Sequence, residues 1–286
     1  MGEGMKAGVV GAGLMGAEIA LVFALGGNEV LLNDRDEAAL DRGMARIAEV
    51  LRRGVDRGSY TPDQADEALA HIRTTADLAD FADRRIVTEA VFEALEVKTA
   101  VLQALDATCA ADCVIASNTS TIPISTLAGA LLPARRRRFL GTHYFSPVSR
   151  MSLVEVIPGF DTDTDVVGEI ADLMRAIGKT PIVIKDVAGF AVNRMLHAMM
   201  IEAVRLVEEG VASPQDLDTA CRLGLGHPIG PFALMDVVSS DLCVQVQTIL
   251  QDAYGERFRP PALLKQRVAA GLGGGRSRRG WLSEAS

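Results

Sequence analysis

Three stretches of this chain place polar side chains where an apolar strand would exclude them. Val114-Ile115-Ala116 runs into Ser117-Asn118-Thr119-Ser120, four successive side-chain hydrogen-bonders. Gly141-Thr142-His143-Tyr144-Phe145-Ser146-Pro147 carries a histidine in an apolar setting just before a proline loop. Leu153-Val154-Glu155-Val156-Ile157 encloses an acid in a strand-like run. A single buried histidine is more often a satisfied core residue, and a single strand glutamate more often faces solvent. Two neighbouring strands joined by a short loop, however, bring His143 and Glu155 within hydrogen-bonding reach. A carboxylate then holds the imidazole in one tautomer and stabilises its cation, the arrangement of a general base. Oxidation of an alcohol needs such a base, because hydride loss from carbon requires proton loss from oxygen.

A second chemical signal lies near the N-terminus. Gly11-Ala12-Gly13-Leu14-Met15-Gly16 follows a β-branched strand and opens a helix. In that context Gly11 permits the tight turn, Gly13 lets the backbone approach a pyrophosphate, and Gly16 allows close helix–strand packing. Exposed N–H groups at Leu14 and Met15, where the helix begins, then face the phosphates. Asp34 closes the next strand about twenty residues on, where its carboxylate accepts from ribose hydroxyls and repels a 2′-phosphate. These features read as an NAD site, with adjacent Arg35 the one feature that would suit NADP. FAD uses the same fingerprint, usually in a longer chain.

These groups need a scaffold. Short apolar segments at 6–10, 29–32, 85–89 and 114–117 alternate with helical stretches at 17–25, 38–53 and 97–107, and strands follow at 139–145, 154–157 and 181–184. In the 38–53 stretch Leu40, Met44, Ile47 and Leu51 share one face. Such alternation predicts an α/β, Rossmann-type, doubly wound and mainly parallel sheet over residues 1–185. From 186 to 286 the pattern turns helical, with helices expected at 193–209, 217–224 and 232–250, hence a second, all-helical C-terminal domain. The tail from Gly271, rich in Gly, Arg and Ser, is expected to be poorly ordered.

Bulk properties narrow the class. The chain has 286 residues, 49% hydrophobic and 23% charged, with a net charge of −8. That acidity argues against nucleic-acid binding. Cys109, Cys113, Cys221 and Cys243 form no CxxC pair, and no histidine sits at finger spacing, so no metal site is expected and the thiols read as reduced. The apolar run from Val9 to Leu25 contains turn glycines and Glu18, unlike a secretion signal. No apolar run approaches the roughly 20 residues of a membrane span. A cytoplasmic protein is expected.

With these motifs in view, the sequence resembles the 3-hydroxyacyl-CoA dehydrogenases, including the short-chain 3-hydroxybutyryl-CoA enzymes, over nearly its whole length. The resemblance is carried by Gly11–Gly16 with Asp34, Glu89-Ala90-Val91-Phe92-Glu93 through Lys98, Ser117-Asn118-Thr119-Ser120, and His143-Tyr144-Phe145-Ser146-Pro147. It continues through Leu153-Val154-Glu155-Val156, the segment from Lys185 to Asn193-Arg194, and Gly226-His227-Pro228-Ile229-Gly230-Pro231-Phe232. It implies His143 as the base and Glu155 as the residue that orients it. Ser117 and Asn193 would hold the hydroxyl and thioester carbonyl of an acyl-CoA, Asn193 being delivered by the first helix of the second domain. Glu93, Lys98 and Ser146 would line the cofactor site, and the helical domain would form a homodimer.

Two departures stand out: many members have Asn where this chain has Ser146, and the C-terminal run Gly271 to Trp281 lacks the usual aromatic ending. The block Arg135-Arg136-Arg137-Arg138 reads as a solvated loop, or alternatively as a docking patch for an acyl carrier protein. Two further readings remain at this stage. A β-hydroxyacid dehydrogenase would want a lysine on the domain-joining helix, and residues 190–204 contain none. A catalytically silent NAD-binding protein could lose His143, Glu155, Ser117 and Asn193 freely, yet all are present.

Overall fold

In the computed structural model, which describes residues 4–275 and 279–282, the chain forms two compact units, Met1–Val187 and Ala188–Ser286. The first unit holds strands β1 (Lys6–Val10), β2 (Glu29–Asn33), β3 (Ile72–Thr75), β4 (Ile86–Glu89), β5 (Val114–Ser117), β6 (Phe139–Tyr144), β7 (Leu153–Pro158) and β8 (Thr180–Val183). They make one sheet in the order β3-β2-β1-β4-β5-β6-β7-β8. Every pairing is parallel except β6 with β7. Helices α1 (Leu14–Leu25), α2 (Glu37–Asp56), α3 (Pro62–Ala70), α4 (Leu95–Thr108), α5 (Ile124–Ala128), α6 (Pro133–Arg136) and α7 (Thr164–Ala176) make the connections.

Strand order reverses direction between β1 and β4, the switch point at which loops diverge and leave a crevice at the strands' carboxyl ends. The apolar run near the N-terminus is β1 and α1, and residues Gly16 to Ala24 of that helix are all buried. On α2, Leu40, Ile47 and Leu51 are buried, as their spacing predicts. Helices α3, α5, α6 and α7 and strand β3 have no counterpart in the sequence reading; for β3 the reason is that Arg73, Thr74 and Thr75 give an edge strand little apolar alternation.

The second unit is helical: α8 (Val192–Glu208), α9 (Pro214–Gly224), α10 (Pro231–Val238), α11 (Ser240–Tyr254) and α12 (Ala262–Ala269). The expected single helix over 232–250 is instead α10 and α11, bent by 101° at Ser239. Ser239 takes φ 81°, and its hydroxyl accepts from the Leu242 N–H at 3.3 Å, capping α11. A serine that caps is worth more at a helix start than inside one. Among the described residues, no single helix is long and apolar enough to cross a membrane.

The tail corrects a second expectation. Trp281 is buried, its ring 5.0 Å from that of Phe232, with its indole N–H donating to Ser240 at 3.1 Å. The Trp281 and Leu282 N–H groups donate to the Asp236 carboxylate at 2.7 and 3.0 Å, and Arg267 lies over the indole. Residues 276–278 and 283–286 lie outside the described residues.

Trp281→Ala should therefore destabilise the second unit by about 3–5 kcal/mol, the usual cost of truncating a buried aromatic. Chemical denaturation of the full chain measures this, and a change within error would mean the tail is not part of the core. A second expectation concerns His197 on α8, which is buried with Nδ1 unpartnered and pushed down by burial from 6.5 to about 4. The unfolded chain then binds a proton that the folded unit refuses. Stability is full above about pH 6.5 and falls by about 3 kcal/mol as pH drops to about 4. His197→Met should flatten that acid limb in denaturation curves, and an unchanged slope would contradict it.

Candidate active site

Because β1, β4, β5 and β6 run parallel, their last residues open on one edge of the sheet. The glycine turn follows β1, Glu89 ends β4, Ser117 ends β5, and His143 lies one residue before the end of β6. Strand β7 returns antiparallel, and His143 and Glu155 are direct cross-strand partners. Opposed residues on antiparallel strands project from the same face. The His143 Nδ1 and Glu155 Oε2 atoms lie 2.7 Å apart, both side chains buried, and the Phe145 ring packs edge-on to the imidazole at 4.7 Å. With Nδ1–H donated to the carboxylate, Nε2 keeps its lone pair. The Ser120 hydroxyl sits 3.1 Å from that Nε2.

Behind this pair lies a buried ionic network. Lys98 on α4 donates to Glu89 Oε1 at 2.8 Å and to the Val91 carbonyl at 3.3 Å, and lies 3.3 Å from Glu93 Oε2. Glu89 Oε1 also accepts from the Val91 N–H, and Oε2 accepts from the Ser117 hydroxyl at 2.6 Å. Oε1 of Glu93 gathers the turn after β5, accepting from Thr119 Oγ1 at 2.7 Å, the Ser120 and Thr121 N–H groups at 2.8 Å, and Thr121 Oγ1 at 2.9 Å. Burial pushes the Glu93 carboxyl up, but Lys98 and these donors outweigh it and hold it below the usual carboxylate range. The Asn118 carboxamide oxygen accepts from the Tyr144 N–H, tying the same turn to the end of β6.

The cofactor end fits a dinucleotide. Gly11 takes φ +103°, and a Cβ there would lie 2.7 Å from the Ala90 carbonyl oxygen; one on Gly16 would strike the Gly11 carbonyl oxygen. A Cβ on Gly13, by contrast, would project into open space. Helix α1 begins without a side-chain cap and without an acid in its first turn. The donors at Leu14, Met15 and Gly16 therefore point where an anion gains most from the helix terminus. Asp34 is pinned beside them, accepting from the Ala12 N–H at 2.9 Å while retaining lone pairs for hydroxyls.

One residue singled out from sequence has a different setting from the one expected. Ser117, expected beside the substrate, is fully buried and donates to Glu89; Ser120 is the serine on His143. As the last strand residue Ser117 points into the core, whereas Ser120 lies past the strand end. Ser146 is exposed in the loop after β6, and Asn193 is the second residue of α8 in the second unit. Sequence reading missed Glu89 as a junction, although an acid ending an apolar strand was the available signal. The arginine block is bound within its own unit. Arg135 is buried against Asp106 and the carbonyls of Cys109, Ala110 and Cys113. Arg137 pairs with Asp163, and Arg138 pairs with Glu169.

Comparison with known proteins agrees with this geometry. Residues 6–187 match the 3-hydroxyacyl-CoA dehydrogenase NAD binding domain, and residues 189–284 match the C-terminal domain of the same family. A probable 3-hydroxybutyryl-CoA dehydrogenase of Deinococcus radiodurans is 39% identical over 278 residues, covering 97% of this chain and 99% of the relative. The 3-hydroxybutyryl-CoA dehydrogenase of Clostridioides difficile is 34% identical over 93% of this chain and 94% of its own. The crystal structure of (S)-3-hydroxybutyryl-CoA dehydrogenase from Ralstonia eutropha superposes with a TM-score of 0.90 at 37% identity, covering 94% of this chain and 95% of that one. The chain, with its NAD-binding first unit, therefore belongs to the 3-hydroxyacyl-CoA dehydrogenase family of oxidoreductases.

Proposed function

We propose that this protein interconverts the 3-hydroxyl and 3-keto groups of a short acyl-CoA thioester, with His143 as the base. The observation that carries this reading is the buried His143–Glu155 pair at the carboxyl edge of the sheet that bears the glycine turn. Bound NAD supplies the hydride acceptor. His143 Nε2 takes the hydroxyl proton as the C3 hydride departs, and Glu155 steadies the imidazolium that results. The hydroxyl of Ser120, already on Nε2, hydrogen-bonds the substrate oxygen. Ser117 supports the site one layer back through Glu89. Asn193 is assigned to the thioester carbonyl by the family resemblance, and Glu93, Lys98 and Ser146 to the cofactor surround.

CoA is favoured over an acyl carrier protein because the arginines that would form the docking patch are engaged within their own unit. NAD is favoured over NADP because the carboxylate of Asp34 is held at the glycine turn. The cytoplasm suits an enzyme drawing on these two cofactors, and organelle-specific fractionation tests that placement. The second unit exposes Met195, Val211, Leu223, Leu225 and Val237, an apolar set that supports a homodimer through this unit.

In an assay of NADH oxidation with acetoacetyl-CoA, the wild-type chain is expected to turn over rapidly and to prefer NADH to NADPH. His143→Ala should lower kcat by roughly two to four orders of magnitude, the range for losing a general base. Near-normal turnover in that variant removes His143 from the role. Light scattering in solution should give twice the chain mass, and a monomeric mass rules out the dimer.

A further inference from the structure

Helix α1 carries one acid in an otherwise apolar sequence: Glu18, two residues past Gly16, is buried. Its Oε2 accepts from the Ser149 N–H at 3.2 Å and the Ser149 hydroxyl at 3.4 Å, across 131 residues of chain. From the other flank Lys179, buried just before β8, donates to the carbonyls of Val148 and Met151. Val148, between these contacts, is packed into the same apolar core as Ile19 of α1. The loop over residues 146–151 is therefore held at three points by the unit's interior. It joins His143 on β6 to Glu155 on β7 and contains Ser146.

Packing alone does not call for these charges. A buried carboxylate and a buried ammonium each lose hydration, and well-packed apolar residues in their place are often neutral or better for stability. What the two charges supply is direction: a carboxylate fixes where an N–H points, and an ammonium fixes two carbonyls at once.

We propose that Glu18 and Lys179 are positioning residues that lock the 146–151 loop to helix α1, keeping the cofactor cradle and the base strand in fixed registry. This rests on the reading above, in which the glycine turn and Ser146 contact NAD. Neither residue touches the reacting atoms; each acts through the loop.

Fluorescence titration of NADH, with kcat and the KM for acetoacetyl-CoA, tests it on the full chain. Glu18→Ala should weaken NADH binding about tenfold, the loss expected when a hydrogen bond to a charged acceptor is removed and its effect transmitted. The same variant should lower kcat and leave the KM for acetoacetyl-CoA near the wild-type value. Glu18→Gln keeps an acceptor for the Ser149 N–H and should restore most of the binding. A folded Glu18→Ala with wild-type NADH affinity and kcat overturns the proposal, as does a Gln variant no better than Ala. If Glu18→Ala does not fold, Lys179→Met must show the same NADH-selective loss, and wild-type binding there overturns the proposal equally. Wild-type protein that fails to bind NADH overturns the cofactor reading and the clamp with it; wild-type binding with unaffected variants overturns the clamp alone.

Discussion

The bond between His143 and Glu155 depends on a single antiparallel pairing in an otherwise parallel sheet. Were β7 parallel to β6, its carboxyl end would join the other loops, and residue 155 would not oppose residue 143. Antiparallel return sets the two in register and on one face, so the geometry of the pair is fixed by backbone hydrogen bonding before any side chain adjusts. Burial then raises the consequence of that registry. A carboxylate fully withdrawn from water must be hydrogen-bonded, and the imidazole N–H is a partner with the right direction.

The remaining polar groups of the first unit are arranged around that constraint. Lys98 neutralises Glu89 and approaches Glu93, and the two acids divide the loop after β5 between them. Glu89 secures the buried end through Ser117, while Glu93 gathers the exposed turn and sets Ser120 against His143. Each buried charge in this chain of contacts has a named partner. A partly satisfied network of this kind would be worse than an apolar core, and a fully satisfied one specifies a single arrangement. The turn after β5 is thus tied by hydrogen bonds to the sheet that carries it.

Much of this was legible in the sequence because it is local. The strand-turn-helix around Gly11, Gly13 and Gly16, the acid at Asp34, and the polar residues in two neighbouring apolar strands are all short-range patterns. Misreadings came where a tertiary partner decides. Ser117 and Ser120 sit in one run of four hydrogen-bonding residues, and only the end of β5 determines which faces the core. Ser239 lies inside an apolar stretch with helical spacing, but capping at Leu242 and the incoming tail at Asp236 break it into two helices. Trp281 follows a Gly- and Arg-rich stretch that reads as disordered, and it is ordered by Phe232 and Ser240, more than forty residues earlier. Arg135 belongs to a run of four arginines that reads as a surface patch, yet it is an internal strut for the turn before β5.

Nitrogen NMR of the imidazole of His143 in the labelled protein at neutral pH tests the central claim most directly. The geometry predicts that the neutral ring carries its proton on Nδ1, shared with Glu155, and keeps on Nε2 the lone pair that takes the substrate's proton. A neutral ring protonated at Nε2 would contradict it, because His143 could not then act as the base from the position the sheet gives it.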